Sequence, residues 1–205
     1  MKQFIPADPC FSHEIEIKHS RFITHIGHTP DPKSAQQFIE SIRQQHPKAN
    51  HNCWAQIAGS RSLLNCRGSH DDGEPKGTAG KPMLNVIEHS EMCEICVVVT
   101  RYFGGIKLGA GGLVRAYSLA VQEALQTLPI IEKIEQFDFT LELPHHLVGE
   151  IEHFLNLSKV NITERNWSER LLIKGTGSES NLTQLNQLLD AVKHVTHYKD
   201  KFNRW

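Results

Sequence analysis

The stretch Gly68–Tyr117 reads GSHDDGEPKGTAGKPMLNVIEHSEMCEICVVVTRYFGGIKLGAGGLVRAY, and the fold turns on it. Two glycine-bearing loops, Asp71–Pro82 and Gly104–Gly112, flank one apolar run, Ile95–Val99. An unbroken apolar run of this length fits a strand covered on both faces. Beyond Gly112, the residues Leu113, Val114, Tyr117, Ala120, Val121, Ala124, Leu125 and Leu128 recur at helical spacing, with polar residues between them. The stretch therefore predicts a loop, a short helix, a buried strand, a glycine loop and a longer helix. A glycine loop that joins a strand to a helix gathers backbone N–H groups and suits an anion or phosphate. Tight turns whose glycines only supply positive φ are the alternative. The glycines are more numerous than two turns need.

Charge singles out the second loop. No Asp or Glu occurs between Glu94 and Glu123, whereas Arg101, Lys107 and Arg115 all fall in that window. With the backbone of Gly104, Gly105, Gly109, Gly111 and Gly112, these cations form the candidate phosphate or nucleic-acid site. Lys76 and Lys81 of the first loop join them. Tyr102 and Phe103 follow Arg101 directly. An aromatic beside a cation at a loop mouth can stack on a base while the cation meets phosphate. Tyr102 is expected to be available for stacking, and Phe103 to turn inward.

The same residues carry a resemblance. HDDGEPKGTAGKPML at His70–Leu84, VVVTRYFGGIKLGAGGLVRAY at Val97–Tyr117 and KHSRFITHI at Lys18–Ile26 are similar to the signature of the IMPACT family, particularly its bacterial YigZ-type members. The resemblance spans essentially the whole chain. It departs at His70, where a Ser or related small residue is common. It implies an N-terminal domain with the fold shared by half of a small-subunit ribosomal protein and by domain IV of elongation factor G. It further implies a smaller C-terminal domain. Some small-molecule kinases share the first fold. Eukaryotic relatives act in translational control through a ribosome-associated activator, but they carry a different extra domain.

Composition bounds the rest. The chain has 205 residues, 39% of them hydrophobic and 22% charged, which is ordinary for a globular protein of one or two domains. No apolar run approaches the ~20 residues of a membrane span. The N-terminus lacks the apolar core of a signal peptide, so a cytoplasmic location is expected. A net charge of −1 excludes a strongly basic tail or arm, and any nucleic-acid footprint must come from clustering. The five cysteines are irregularly spaced, which argues against a disulfide framework. Cys93-Glu-Ile-Cys96 matches C-x-x-C but runs into the expected strand, where residues three apart point to opposite faces.

In chain order, Glu14–Lys18 and Arg21–His28 predict strands. Asp31-Pro32 opens a helix buried through Ala35, Phe38, Ile39 and Ile42. Asn52–Ala58 predicts a third strand, with 61–66 as its hairpin partner. Pro129 stops the long helix, and Ile130–Glu135 reads as a hinge. Beyond it, Phe137, Phe139, Leu141 and Leu143 alternate as a strand, and Leu147, Val148, Ile151, Phe154 and Leu155 form a helix. Val160 and Ile162, then Leu171–Ile173, predict strands. Gly175-Thr-Gly177 predicts a turn, Leu182, Leu185, Leu188 and Leu189 a helix, and 195–198 a closing strand. The fold class is α+β in two domains. Residues 1–132 form an α/β sandwich, and 134–205 a ferredoxin-like β-α-β-β-α-β domain.

Asp71, Asp72 and Glu74 invite a metal or acid/base reading, because clustered carboxylates can hold Mg²⁺ beside a phosphate. Asp-Gly and Glu-Pro are also turn chemistry. The alternative is a scaffold that accepts loop N–H bonds or pairs with Lys76, Lys81 or Arg101. Gly104–Val114 matches neither a P-loop nor a dinucleotide fingerprint, and no nucleophile elbow is present. His51 and Cys53 lack the further ligands of a zinc site and read as packing. The sequence thus requires no catalytic residue, metal or cofactor. It favours a non-enzymatic protein that binds structured RNA or a ribosome-associated factor. The alternative is a small-molecule or nucleotide-binding enzyme using the same loops and the acidic cluster.

Overall fold

The structure, a computed structural model, describes residues 2–59, 66–191 and 197–200. The chain divides into two compact units, Met1–Lys133 and Ile134–Trp205.

The first unit is built on one five-stranded antiparallel sheet. Its strands are β2 (Phe11–Ile17), β3 (Ser20–His28), β4 (His51–Ile57), β5 (Arg67–His70) and β6 (Ile95–Tyr102), and they lie in the order β2-β3-β6-β4-β5. The apolar run occupies the centre. β6 is buried from Ile95 to Arg101 because helices cover both faces of the sheet. Ile95, Val97 and Val99 face α2 (Gly80–His89) and α3 (Ala110–Thr127), while Cys96 and Val98 face α1 (Pro32–Gln45). An unbroken apolar strand here marks coverage on both faces within an antiparallel sheet.

Local chemistry sets the other elements. Lys18 and His19 both take left-handed φ, 48° and 63°, and close the β2–β3 hairpin in two residues. Asp31 caps α1 in a capping box with Ser34, and Pro32 fills the first turn. α3 buries Leu113, Ala116, Tyr117, Ala120, Val121 and Ala124, and the Phe22 ring meets Tyr117 edge-on at 5.3 Å.

Two expectations are corrected in this unit. Ile130–Glu132 is not a hinge but a strand, β7, paired antiparallel with β1 (Phe4–Pro6). Lys133 is tied to the same unit, its N–H donating to Gln3 O at 2.8 Å and its ammonium to Glu94 at 2.5 Å. Nothing in the sequence flanking Pro6 alternates, which hides so short a strand. The partner of β4 is β5 rather than 61–66, of which 61–65 lie outside the described residues.

The second unit runs β8 (Gln136–Leu143), a 3-10 turn, α4 (Val148–Ser158), β9 (Asn161–Trp167), β10 (Leu171–Ser178), α5 (Glu179–Ala191) and β11 (His197–Asp200). Its four strands are antiparallel in the order β11-β8-β10-β9. Phe139, Leu141, Leu143, Ile151, Leu155, Leu171, Ile173, Leu182 and Leu185 form its core. Gly175-Thr-Gly177 is not a turn but continues β10. A Cβ at Gly175 would stand 2.5 Å from Asn161 O and 2.7 Å from the Phe139 ring, so the glycine permits a close approach inside the sheet. The side chains of Leu188 and Leu189, and residues 195 and 196 of the expected closing strand, lie outside the described residues.

Candidate functional site

Both glycine loops end in a helix N-terminus, and the chain treats the two ends differently. The Asp71 carboxylate accepts N–H bonds from Gly77 at 2.7 Å, Ala79 at 3.1 Å and Gly80 at 2.8 Å, so it ties the first loop and caps α2 from outside the helix. Burial works to raise the Asp71 carboxyl, but these three bonds outweigh it and hold its pKa below the ordinary carboxylate value. Asp72 sits at φ 46°. Its carboxylate accepts from Asn52 N at 2.7 Å and Arg43 at 2.9 Å, and its carbonyl from His51 Nδ1 at 2.8 Å. Cys53 Sγ–H donates to Asp71 O at 2.9 Å, and burial pushes that thiol up to about 12.

Glu74 runs the other way, into the protein. Its side chain is 3% exposed and accepts from Arg101 at 2.6 Å and from the Tyr117 hydroxyl at 2.8 Å. Burial drives the Tyr117 phenol far above its ordinary pKa, so it stays protonated and donates. The Arg101 guanidinium lies over the Phe22 and Phe103 rings, 5.4 and 5.6 Å from their centroids. This Glu74–Arg101 pair fastens the first loop to the central strand beneath the second loop.

The second loop has no such carboxylate. α3 starts at Gly109, whose φ is 71° and which offers no side-chain cap. Leu113 N to Gly109 O, at 2.9 Å, is the first hydrogen bond of the helix. The N–H groups of Ala110, Gly111 and Gly112 therefore precede the helical ladder. A cavity of about 400 Å³ opens at this end, lined by Asn50, His51, Glu74, Arg101, Phe103, Lys107 and the first turn of α3.

A profile of the Impact N-terminal domain matches residues 18–125, from the β2–β3 turn through both loops and most of α3. The chain belongs to the IMPACT family. It is of the YigZ type, 43% identical to the IMPACT family member YigZ of Escherichia coli over 170 residues, or 83% of each chain. It is 39% identical to an IMPACT family member of Haemophilus influenzae over 181 residues, 88% of each chain. A crystal structure of a hypothetical protein superimposes over 98% of both chains with 36% identity and a TM-score of 0.69.

In this IMPACT-family domain the predicted site residues separate into groups. Arg101 is 5% exposed and bound to Glu74, so it is a buried tie and not a surface phosphate contact. The two aromatics are the reverse of the expectation. Phe103 is 45% exposed at the cavity rim, while Tyr102 is half-buried with its hydroxyl 3.0 Å from His46 Nδ1. Strand alternation decides this, because Tyr102 still pairs with Arg21 on β3 whereas Phe103 lies one residue past the strand. Gly104 is a glycine for steric reasons, since a Cβ would fall 2.0 Å from the His19 carbonyl carbon. Gly105, at φ 86°, and Gly109 hold left-handed backbone.

The remaining cations surround α3. Lys107 lines the cavity at its N-terminus. Arg115 lines a second cavity of about 320 Å³ with Lys18, Leu108 and Gly112. Lys81 lines the groove of about 810 Å³ between α2 and α3, and Lys76 is exposed on the first loop. Lys18 was hidden from sequence reasoning because only the hairpin brings it to α3. His70, the departure from the family pattern, accepts the Asp72 N–H at 3.0 Å through Nδ1 and stacks on Trp54. That is the local bond a short polar side chain would make there. Among the described residues no group of three or more His, Cys, Asp or Glu could hold a metal ion, and no helix is long and apolar enough to cross a membrane.

Proposed function

We propose that this protein binds structured RNA or a ribosome-associated factor without catalysis, and serves in the regulation of translation in the cytoplasm. One observation carries the reading: the uncapped N-terminus of α3 opens on a cavity with Lys107 at its wall and Phe103 exposed at its rim, and among the described residues no free carboxylate lines it. Glu74, the acid in the cavity wall, is already neutralised by Arg101. The helix terminus and the cations supply attraction for phosphate, and the exposed ring supplies a stacking face. Lys18, Lys81 and Arg115 extend the positive surface around α3, and Lys76 adds to it from the first loop. The separate partners of Asp71, Asp72 and Glu74 support a scaffold role for these carboxylates over the enzymatic alternative.

We take the first unit to have the fold of the ribosomal-protein half and of elongation factor G domain IV, and the second to be ferredoxin-like. The second rests on its strand order, with the first and third strands central. We also take the two units to be separate folding domains. The test of function is RNA retention by the purified full chain across a salt series. Lys81→Ala, Lys107→Ala and Arg115→Ala are expected to weaken binding, each lowering the salt slope by about one or less. A wild type that retains no RNA at low salt, or a triple variant that binds as wild type does, overturns the reading.

A further inference from the structure

The groove of about 810 Å³ between α2 and α3 shares no lining residue with the cavity at the start of α3. Lys81, Asn85 and His89 line it at every fourth position of α2. Ser118, Gln122 and Gln126 do the same along α3. Residues four apart on a helix stand one above the other, so each wall is a straight row. Val86 and Leu125, which also pack against the core, give the groove an apolar floor. The side chains of Asn85, Gln122 and Gln126 have no hydrogen-bond partner among the described residues. Acids are kept out of the groove. α2 and α3 contain one each, Glu88 and Glu123, and neither lines it. Glu88 pairs with Arg67, and Glu123 lies 3.5 Å from His13. Lys81 and His89 therefore meet no carboxylate in the lining.

We propose that this groove binds an extended, acidic segment of a protein partner, in which apolar and acidic side chains alternate. Each row advances ~6 Å per step, and alternate residues of an extended chain advance ~6.6 Å. An Asn or Gln amide both donates and accepts, as a peptide group does. A chain laid along the groove thus meets an amide at every second residue. It turns alternate side chains to the floor and holds the others at the rim beside Lys81 and His89. The positive walls select acids for those rim positions. A nucleic-acid strand would ask for a cation at each phosphate, and the lining supplies one lysine. The inference rests on the reading of this chain as a binding protein in translation, and it specifies the protein segment that such a chain engages.

The probe is a synthetic peptide of about six residues in which Val alternates with Glu, long enough to span both rows. A control peptide carries Lys in place of Glu. Each is titrated into the full chain and followed through the side-chain NH₂ resonances of Asn85, Gln122 and Gln126. The Glu peptide is expected to shift all three and to bind about tenfold tighter than the Lys peptide. Gln122→Glu is expected to reverse that preference. Glutamate and glutamine have similar helix propensity, so the melting temperature of the variant is expected to hold. Reversal with a retained melting temperature therefore reports on charge in the groove and not on folding. Equal affinity of the wild type for the two peptides overturns the inference, as do shifts confined to the start of α3. A short single-stranded RNA that displaces the Glu peptide and shifts the same three resonances gives the groove to nucleic acid and overturns it as well. RNA retention that depends on Lys107 and Arg115 is measured separately. Failure of the peptide alone leaves the RNA reading standing, and failure of RNA retention alone leaves the groove to the protein partner.

Discussion

The two glycine loops of the first unit are built from similar residues and put them to opposite ends. The first is closed on itself. Asp71 takes the N–H groups of Gly77, Ala79 and Gly80, and Asp72 and Glu74 tie the loop to β4, α1 and β6. The second leaves α3 without a cap. The dipole and free N–H groups of α2 are therefore answered inside the protein, and those of α3 meet no capping side chain among the described residues. A glycine-rich stretch before a helix thus says little until the nearest carboxylate is located. In the first loop that carboxylate lies eight residues upstream of the cap, at Asp71.

The largest expected effect falls on the tie beneath both loops. Glu74→Gln removes the charge that compensates Arg101 inside the protein, and Arg101→Ala leaves the buried Glu74 carboxylate without its cation, held by the Tyr117 hydroxyl. Each change is expected to destabilise the fold by about 3–5 kcal/mol, read from urea denaturation. Had Arg101 been a surface phosphate contact, Arg101→Ala would lower RNA affinity and leave the urea midpoint in place. That result would break the assignment.

Asp71 comes next. Asp71→Ala frees three N–H groups at a partly exposed site and is expected to cost about 2–4 kcal/mol, with Asp71→Asn recovering part of it. Its pH dependence has a definite sign. A carboxyl whose folded pKa lies below the unfolded one stabilises above the unfolded value, and that contribution is lost as pH falls through the folded value. The Asp71 window therefore lies below about pH 4. His25 contributes a separate window. Burial, and then the neighbouring His46, lowers its pKa from 6.5 to about 4, so stability is full above pH 6.5 and declines between there and 4. His25→Gln is expected to flatten the upper window and leave the lower one. Asp72→Asn is milder, about 1–3 kcal/mol, because Asn tolerates left-handed φ and keeps an acceptor for Asn52 N.

The helices and most of the strands were legible in the sequence, because they rest on periodicity and caps, whereas the short strands β1, β5 and β7 were not. The Val97–Val99 run, the stripe of α3 and the Asp31-Pro32 start of α1 are local signals, and they survive into the structure. The site was legible only in part. Sequence places Arg101 in an acid-free window, but separation along the chain is not separation in space. Glu74, 27 residues upstream, lies against it. Tyr102 and Phe103 could not be told apart, because the answer depends on the residue at which β6 ends. Lys18 and His51 reach α3 through a hairpin turn and a neighbouring strand, and neither leaves a mark near Gly109.

The smallest expected effects separate the loops most sharply, because they use one substitution at two helix starts. Gly80 is the first residue of α2 and Gly111 the second of α3. Neither has positive φ, so alanine is conformationally allowed at both, and only the space differs. A Cβ at Gly80 would stand 2.7 Å from His70 N and 2.8 Å from its carbonyl carbon, both backbone atoms that cannot swing aside. Gly80→Ala must push α2 off β5 and loosen the Asp71 cap, and it is expected to destabilise by about 1–3 kcal/mol. A Cβ at Gly111 would meet nothing within 4 Å. Gly111→Ala is expected to stabilise by about 0.5–1 kcal/mol, since it restricts the unfolded chain and improves helix propensity. The fold thus forgoes a small gain at Gly111 for no internal reason. A bare backbone at the start of an uncapped helix is what a ligand approaching closely requires. If Gly111→Ala raises the melting temperature and weakens RNA binding together, the second loop is a surface kept open for a partner. If it raises stability and leaves binding unchanged, the comparison reduces to steric differences between two turns.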